Sequence, residues 1–378
     1  MSDPQLLQEY PAALKVVGVG GGGGNAIRHL LETTALDGID AVAVNTDRQA
    51  LDALPQDVAL PIGGGVTRGL GAGADPEAGR RAAEESRDAL RARLAGADLM
   101  FLMAGMGGGT GSGATLEVAD LAREMDILTV AVVTRPFGFE GTRRRHAAQA
   151  AIEALDGRVD CLVVVPNDRL LPTLGAGTSM MRAFAAVNDV LREAVIGIAD
   201  VITRPGMINI DFADVAAVMR RPGRARIGTG EGMGEDRAAQ AVQAAVEHPL
   251  LEATDLAEAA GVLVSITAGA DLSLADFDEV GRQVAAFADE DAMLVVGTAL
   301  DPALEGRLRI SIVATGLEVA KGSEKTRLAP ASQAPSAPPR ADTETPARPR
   351  AEPATRPGAE APADELLDLG DFLNRLKR

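Results

Sequence analysis

Six glycines and two hydroxyls are packed into nine residues, Gly105-Met-Gly-Gly-Gly-Thr-Gly-Ser-Gly113. Such a segment suits an anion: backbone N–H groups unencumbered by side chains can turn inward onto phosphate oxygens, and Thr110 and Ser112 add further donors. An apolar run over 98–104 precedes it and a helical pattern over 114–124 follows. Strand, loop and helix start then come in the order that aims a positive dipole end at the anion. No lysine closes the segment, so it is not the GxxxxGK[ST] loop of P-loop NTPases.

The same device occurs twice more upstream. Residues 14–19 read as a buried strand and 26–32 as a helix that Asn25 can cap, with five glycines between them. Gly18, Gly20 and Gly23 satisfy GxGxxG, and Asp40 and Asp47 flank the next strand, 41–44, so this stretch alone suggests a nicotinamide-dependent oxidoreductase. A further cluster, Gly63–Gly65 and Gly69–Ala74, follows a short apolar run at 58–62 and leads into a helix beginning near Pro76. A dinucleotide-binding unit needs one such loop at its first crossover. Three of them imply a site for several phosphates.

The elements that must hold these loops are legible. Apolar strands at 127–133 and 161–165 continue the alternation with helices, which predicts an α/β fold with a parallel sheet covered on both faces. Ligands bind such sheets at the carboxyl ends of the strands, where all three loops fall. Hydrophobic residues make up 46% of the 378, but aromatics only 2% and Trp is absent, so the core must be aliphatic. The length suggests two domains. A net charge of −17 argues against nucleic-acid binding through a basic surface. The single Cys161 forms no internal disulfide and reads as a small buried residue, and three scattered histidines show no metal-site spacing. With no run of membrane-spanning length and no basic and apolar leader in residues 1–13, the chain is expected to be cytoplasmic.

Residues 179–203 place Phe184, Val187, Leu191, Val195, Ile198 and Val201 at three-and-four spacing, which predicts one long amphipathic helix ended by Pro205-Gly206. At 1.5 Å per residue Asn188 and Arg204 lie about 24 Å apart along it. Asn209, Asp211 and Asp214 follow, and by residue type alone Asp211 and Asp214 suit a helix cap and first turn. Strands at 261–268, 292–298 and 307–314, with a helix at 271–288, predict a smaller α/β domain over 205–317. Residues 318–363, rich in Pro and Ala, read as a disordered linker. Residues 364–378 bring back Leu366, Leu367, Leu369, Phe372, Leu373 and Leu376, either a short partner-binding peptide or an amphipathic membrane helix, the latter disfavoured by a short apolar face and mixed charges.

From about Leu14 to Leu317 this series of motifs resembles the FtsZ family, the bacterial relatives of tubulin. The resemblance is carried by Gly20–Asn25, Asn45-Thr-Asp47, Gly69–Ala74, Gly105–Gly113, Phe139-Glu-Gly141, Pro166-Asn-Asp168 and Asn209-Ile-Asp-Phe-Ala-Asp214. It implies a flexible extension (1–13), a GTP-binding domain (14–178), a central helix (179–204) and a C-terminal domain (205–317), with GTP or GDP bound. In that family the positions of Gly21, Gly22, Gly23, Gly24, Asn25, Gly108, Gly109, Thr110 and Gly111 cradle the phosphates, and those of Ala72, Gly73 and Ala74 lie against the γ-phosphate. Glu140 resembles the ribose contact, Arg144 an arginine near ribose and phosphates, Phe184 the stacking aromatic, and Asn25, Asn167 and Asn188 the base's hydrogen-bonding partners. By residue type alone Asn25 and Asn167 could equally be helix caps and Phe184 a core residue.

The resemblance further implies head-to-tail homopolymers in a mid-cell division ring, without direct membrane insertion. Asn209, Asp211 and Asp214 would enter a neighbouring subunit's site to orient the attacking water and help bind a cation, Mg2+ with a monovalent ion in addition. Assembly would switch hydrolysis on. The 364–378 peptide would bind membrane-tethering and regulatory proteins, though Gly370-Asp371 stand where the family carries a proline before the Phe. A diverged structural paralogue with little GTPase activity is the alternative.

Overall fold

The computed structural model describes residues 12–318, apart from 35, 37, 176 and 252–255. The expectations for residues 1–11, for all but the first residue of the linker, and for the 364–378 peptide lie outside the described residues. Among the described residues ten strands form a single sheet: β1 (Leu14–Val19), β2 (Ile39–Asn45), β3 (Ala59–Pro61), β4 (Leu99–Gly105), β5 (Leu128–Arg135), β6 (Cys161–Pro166), β7 (Arg224–Met233), β8 (Gly261–Ala268), β9 (Met293–Leu300) and β10 (Arg307–Leu317). Their spatial order is β3-β2-β1-β4-β5-β6-β7-β10-β8-β9. Neighbours from β3 through β7 pair in parallel, whereas β10 runs antiparallel to both β7 and β8.

Because side chains alternate across a pleated strand, each central strand feeds two apolar layers. Val16, Phe101, Val130 and Val163 face α1 (Gly20–Thr33) and the central helix. Their neighbours Val17, Met100, Ala131 and Leu162 face the opposite layer, where α2 (Pro76–Glu85), α3 (Arg87–Leu94), α4 (Gly109–Glu124) and α5 (Thr142–Leu155) pack. Burial on both faces explains why β4, Leu-Met-Phe-Leu-Met-Ala-Gly, shows no polar alternation.

The central helix, α6 (Met180–Thr203), is capped by the Ser179 hydroxyl, which accepts from the Arg182 N–H. It packs on the first apolar layer and also on Ile227, Leu263 and Val313 of the C-terminal strands, so a single helix spans both halves of the sheet. The sheet itself joins there through two residue pairs, Leu162 with Arg224 and Val163 with Ala225. On the far face of the C-terminal strands lie α8 (Arg237–Val246) and α9 (Leu274–Phe287), and α7 (Phe212–Met219) follows the central helix.

Three expectations need correction. The helix after β1 begins at Gly20 rather than Ala26, and the one after β4 at Gly109 rather than Ala114, so most of each glycine run is itself the first helical turns. Asn25 therefore sits inside α1 and caps nothing. The intrinsic cost of glycine in a helix is offset because only glycine lets the two helix starts meet the strands: a Cβ on Gly23 of α1 would fall 2.5 Å from the Met103 carbonyl oxygen, and one on Gly111 of α4 2.3 Å from the Gly105 carbonyl oxygen. Strand β7 and helix α8, absent from the sequence reading, interlock by the same means. Gly228, Gly230 and Gly232 line one face of β7, and Cβ atoms there would lie 2.0–2.2 Å from carbonyl oxygens of α8.

Candidate functional site

The sheet order reverses direction at β1, whose neighbours are β2 and β4. A crevice opens at such a switch point beyond the carboxyl ends of the strands, and here it is an open cleft of about 470 Å³. The N-termini of α1 and α4 both adjoin it, and neither helix has an acidic residue in its first turn. Among the described residues Arg144 is the one cation lining the cleft, so backbone N–H groups at helix starts and two helix dipoles supply most of its attraction for an anion.

Of the residues singled out in the sequence, Gly21, Gly22, Asn25, Ala72, Ala74, Gly108, Gly109, Thr110, Gly111, Glu140, Arg144, Asn167, Phe184 and Asn188 all line this cleft. Gly23, Gly24 and Gly73 are not among its lining residues; Gly23 is buried beneath the Met103 carbonyl. Asn45, Asp47, Thr134 and Pro136 line the cleft without having been chosen as site residues. Thr46 was also overlooked: it is buried, and its hydroxyl lies 2.6 Å from that of Thr110. The Asn45-Thr-Asp47 motif was the available signal, since polar residues closing an apolar strand belong at a ligand-facing strand end.

The far end of the cleft is built for a flat, polar-edged group. Phe184 on α6 is 41% exposed and stands against the fully buried Phe137. Asn167, at the end of β6, is 3% exposed, and its Oδ1 meets no donor among the described residues. A buried, unpaired acceptor costs stability until a ligand donor reaches it. The Asn25 Oδ1 accepts from Arg28 Nη2 at 3.1 Å, and Asn188 lies one turn beyond Phe184. Next to Asn188, Asp189 is 2.7 Å from His29 Nε2, which ties the helix of the first glycine run to the helix carrying Phe184.

Between these two ends the turn 137–141 is held on both sides. The Phe137 N–H donates to Glu140 Oε1 at 2.9 Å, and Glu140 Oε2 accepts from Arg144 Nη1 at 2.7 Å. The Gly138 N–H donates to Asp168 Oδ1 at 2.9 Å, so the turn is pinned to the strand end that presents Asn167.

Residues 13–175 match the family sequence model described as Tubulin/FtsZ family, GTPase domain, and 223–318 match FtsZ family, C-terminal domain. The cell division protein FtsZ of Coxiella burnetii is 53% identical over 306 residues, covering 81% of this chain and 79% of that one. The chain belongs to the FtsZ family. The FtsZ of Wigglesworthia glossinidia brevipalpis is 51% identical over 310 residues, covering 82% and 80% of the two chains. Among solved structures, the empty FtsZ dimer of M. jannaschii superposes with a TM-score of 0.77 at 40% identity, covering 82% of this chain and 90% of that one. CetZ2 from Haloferax volcanii, in a GTPγS-bound protofilament, gives 0.68 at 26% identity, covering 82% and 94%.

Asn209, Asp211 and Asp214 are not in the cleft. They follow the opposite end of α6 and are exposed. Asp211 occupies the N-cap position of α7 but makes no side-chain capping bond, and Asp214 lies in the first turn. The carboxylates are thus not consumed by the helix start that residue types suggested. Cys161 is fully buried and burial pushes its thiol up to about 12, so it is no nucleophile.

Proposed function

We propose that this protein binds GTP in the cleft at β1 and β4 and assembles head-to-tail, so that Asp211 and Asp214 of one subunit complete the site of the next. The observation that carries this reading is the separation of the two halves. The cleft receives Phe184 and Asn188 near the start of α6, and the uncapped, exposed acids follow its far end, roughly 24 Å further along the helix axis. One subunit's acids do not reach its own cleft. Head-to-tail contact brings each acid loop to a neighbour's cleft.

The chemistry is phosphoryl transfer from GTP to water, yielding GDP and phosphate, in which positioning and charge stabilisation do most of the catalysis. Helix N-termini and the Gly108–Gly111 amides hold the phosphates, Ala72 and Ala74 border the γ-phosphate, and Arg144 compensates charge. Phe184 supports the base, while the unpaired Asn167 Oδ1 accepts from the N–H edge of guanine, an edge that adenine lacks. Asp211 and Asp214 accept hydrogen bonds from the attacking water and orient it, with Asn209 beside them.

Among the described residues no cluster of three potential metal ligands converges. The donor set fits a Mg2+ ion carried chiefly by phosphate oxygens, with Asp47 the one lining carboxylate besides the arginine-paired Glu140. Bound there, such an ion would supply neutralisation of the charge developing on the phosphates. A monovalent ion beside the acid loop belongs to the same reading.

In the cell, the polymer would form the division ring, in keeping with relatives named as cell division proteins, with residues 364–378 as the partner-binding peptide. Turnover per subunit measured against protein concentration, with sedimentation in parallel, tests the shared site. Turnover should stay low and flat, then rise at the concentration where polymer becomes sedimentable. Turnover independent of concentration would refute the shared site, and polymer without turnover would indicate a structural paralogue.

A further inference from the structure

The acid loop is fastened to the outermost strand of the sheet in an unusual way. Leaving α6, the chain runs along the edge of β9, where the Leu300 N–H donates to the Pro205 carbonyl at 3.1 Å and the Thr298 N–H to the Ile208 carbonyl at 3.0 Å. The reciprocal donor, the Ile208 N–H, meets no backbone carbonyl there; it donates to Thr298 Oγ1 at 2.8 Å. The same hydroxyl lies 3.3 Å from the Ile208 carbonyl. A threonine hydroxyl both donates and accepts, so one buried side chain, 1% exposed, engages both backbone groups of Ile208.

The fit leaves no slack. A Cβ on Gly206 would fall 1.8 Å from the Thr298 carbonyl oxygen, so only glycine permits this approach. The Gly206 N–H in turn donates to Asn209 Oδ1 at 3.1 Å, closing a tight turn directly before Asp211. On one side the loop is anchored by Arg204, bonded to Asp200 at 2.8 Å and within 3.5 Å of Asp301. On the other it is anchored by Val215, Val218 and Met219 of α7, all fully buried. Thr298 holds the stretch between these anchors. Ile208 itself is 41% exposed, so the loop it belongs to is held by these anchors and by Thr298 rather than by burial of its own side chain. The hydroxyl therefore contributes chiefly to where the loop stands, not to whether the domain folds.

We propose that Thr298 is a positioning residue for hydrolysis: its hydroxyl sets the aim of Asn209, Asp211 and Asp214 into the neighbouring subunit's cleft, although it touches no nucleotide. This rests on the shared-site reading above. Misplacement of a catalytic group by about 1 Å costs up to about a hundredfold in rate, so a loosened loop should lower turnover within the polymer without altering nucleotide affinity.

The test uses the full chain as wild type, Thr298→Val, Thr298→Ser and Asp214→Asn, measuring GTP affinity of the monomer, sedimentable fraction and turnover per polymerised subunit at saturating GTP. Valine keeps the branched shape and removes both hydrogen bonds. Its turnover should fall by about tenfold or more, with affinity unchanged and the cooperative unfolding transition retained, and serine should restore the rate. If the valine variant does not fold, Thr298→Cys, with weaker hydrogen bonding at similar volume, carries the same expectation. Wild-type turnover in Thr298→Val beside an inactive Asp214→Asn overturns the role of Thr298 alone. Wild-type turnover in Asp214→Asn overturns the shared-site reading and this proposal with it.

Discussion

Phe137 stands edge-on to Phe184, with ring centroids 5.4 Å apart and planes at 86°. Phe139 stacks on Phe137 at 4.9 Å, so in a chain with eight Phe, three meet at one end of the cleft. A half-exposed ring braced from behind offers a firm face to a flat base. Phe184→Ala should weaken GTP binding by about 1–3 kcal/mol, the range for base–aromatic stacking. Its thermal midpoint should change little because the ring is partly solvated. Nucleotide titration against a melting curve checks both.

Asn167 carries an opposite signature, costly when empty and favourable when filled. Asn167→Leu should leave the nucleotide-free protein as stable as wild type or slightly more so, since it removes a buried unpaired acceptor. It should weaken GTP binding by about 1–3 kcal/mol. Inosine triphosphate, which lacks the 2-amino group, separates the contributions: wild type should prefer GTP over it, and the variant should discriminate less.

For the acids the expected pattern is a rate effect without a binding effect. Asp214→Ala should lower turnover per polymerised subunit by about a hundredfold or more and leave monomer GTP affinity unchanged. Steady-state phosphate release beside equilibrium nucleotide binding decides it, and unchanged turnover would remove Asp214 from the mechanism.

Stability of the C-terminal half should depend on pH through Asp276. The Arg237 guanidinium, bonded to Asp276 at 2.8 Å and also paired with Asp271, holds the Asp276 carboxyl down at about 2, with help from Ser273. A folded-state value below the unfolded one of about 3.9 means stabilisation that is fully present above the unfolded value and lost as pH falls through the folded one. The shift corresponds to about 2 kcal/mol. The stability difference between wild type and Asp276→Asn, measured by urea unfolding, should therefore be constant from pH 7 to about 5 and shrink towards pH 2. Arg237→Met, which strands a buried carboxylate, should cost about 3–5 kcal/mol at pH 7.

Gly230→Val should prevent α8 from seating on β7, since its Cβ would lie 2.2 Å from the Ala241 carbonyl oxygen. Destabilisation above about 3 kcal/mol is expected, read as loss of the cooperative unfolding transition or of soluble protein.

That same glycine stripe marks where residue patterns stop informing. β4 and α6 were legible because burial of a strand on both faces and of one helix stripe imposes recurrences that composition displays directly. β7, Arg-Ala-Arg-Ile-Gly-Thr-Gly-Glu-Gly-Met, looks like a loop by propensity, and only its distant partner α8 explains glycine at every second position. The starts of α1 and α4 lie five or six residues before the positions their patterns indicate for a related reason, since glycine disfavours helix locally and Gly105 or Met103 becomes relevant only in three dimensions. In the cleft, residues standing in recognisable motifs were found, whereas Thr46 and His29 act through partners 64 and 160 positions away and carry no local signal.

Cleft and acids at opposite ends of one helix impose an arithmetic on any filament. On the proposed shared site, a string of n subunits would contain n−1 completed sites, since one terminal cleft would have no neighbour's acids and one terminal acid loop no cleft. A dimer should then work at half the per-subunit rate of a long polymer, and the two tips should differ chemically. On that reading one tip would present a nucleotide that its own filament has no means to hydrolyse, giving the polymer a polarity written in its unspent ligand as well as in its shape.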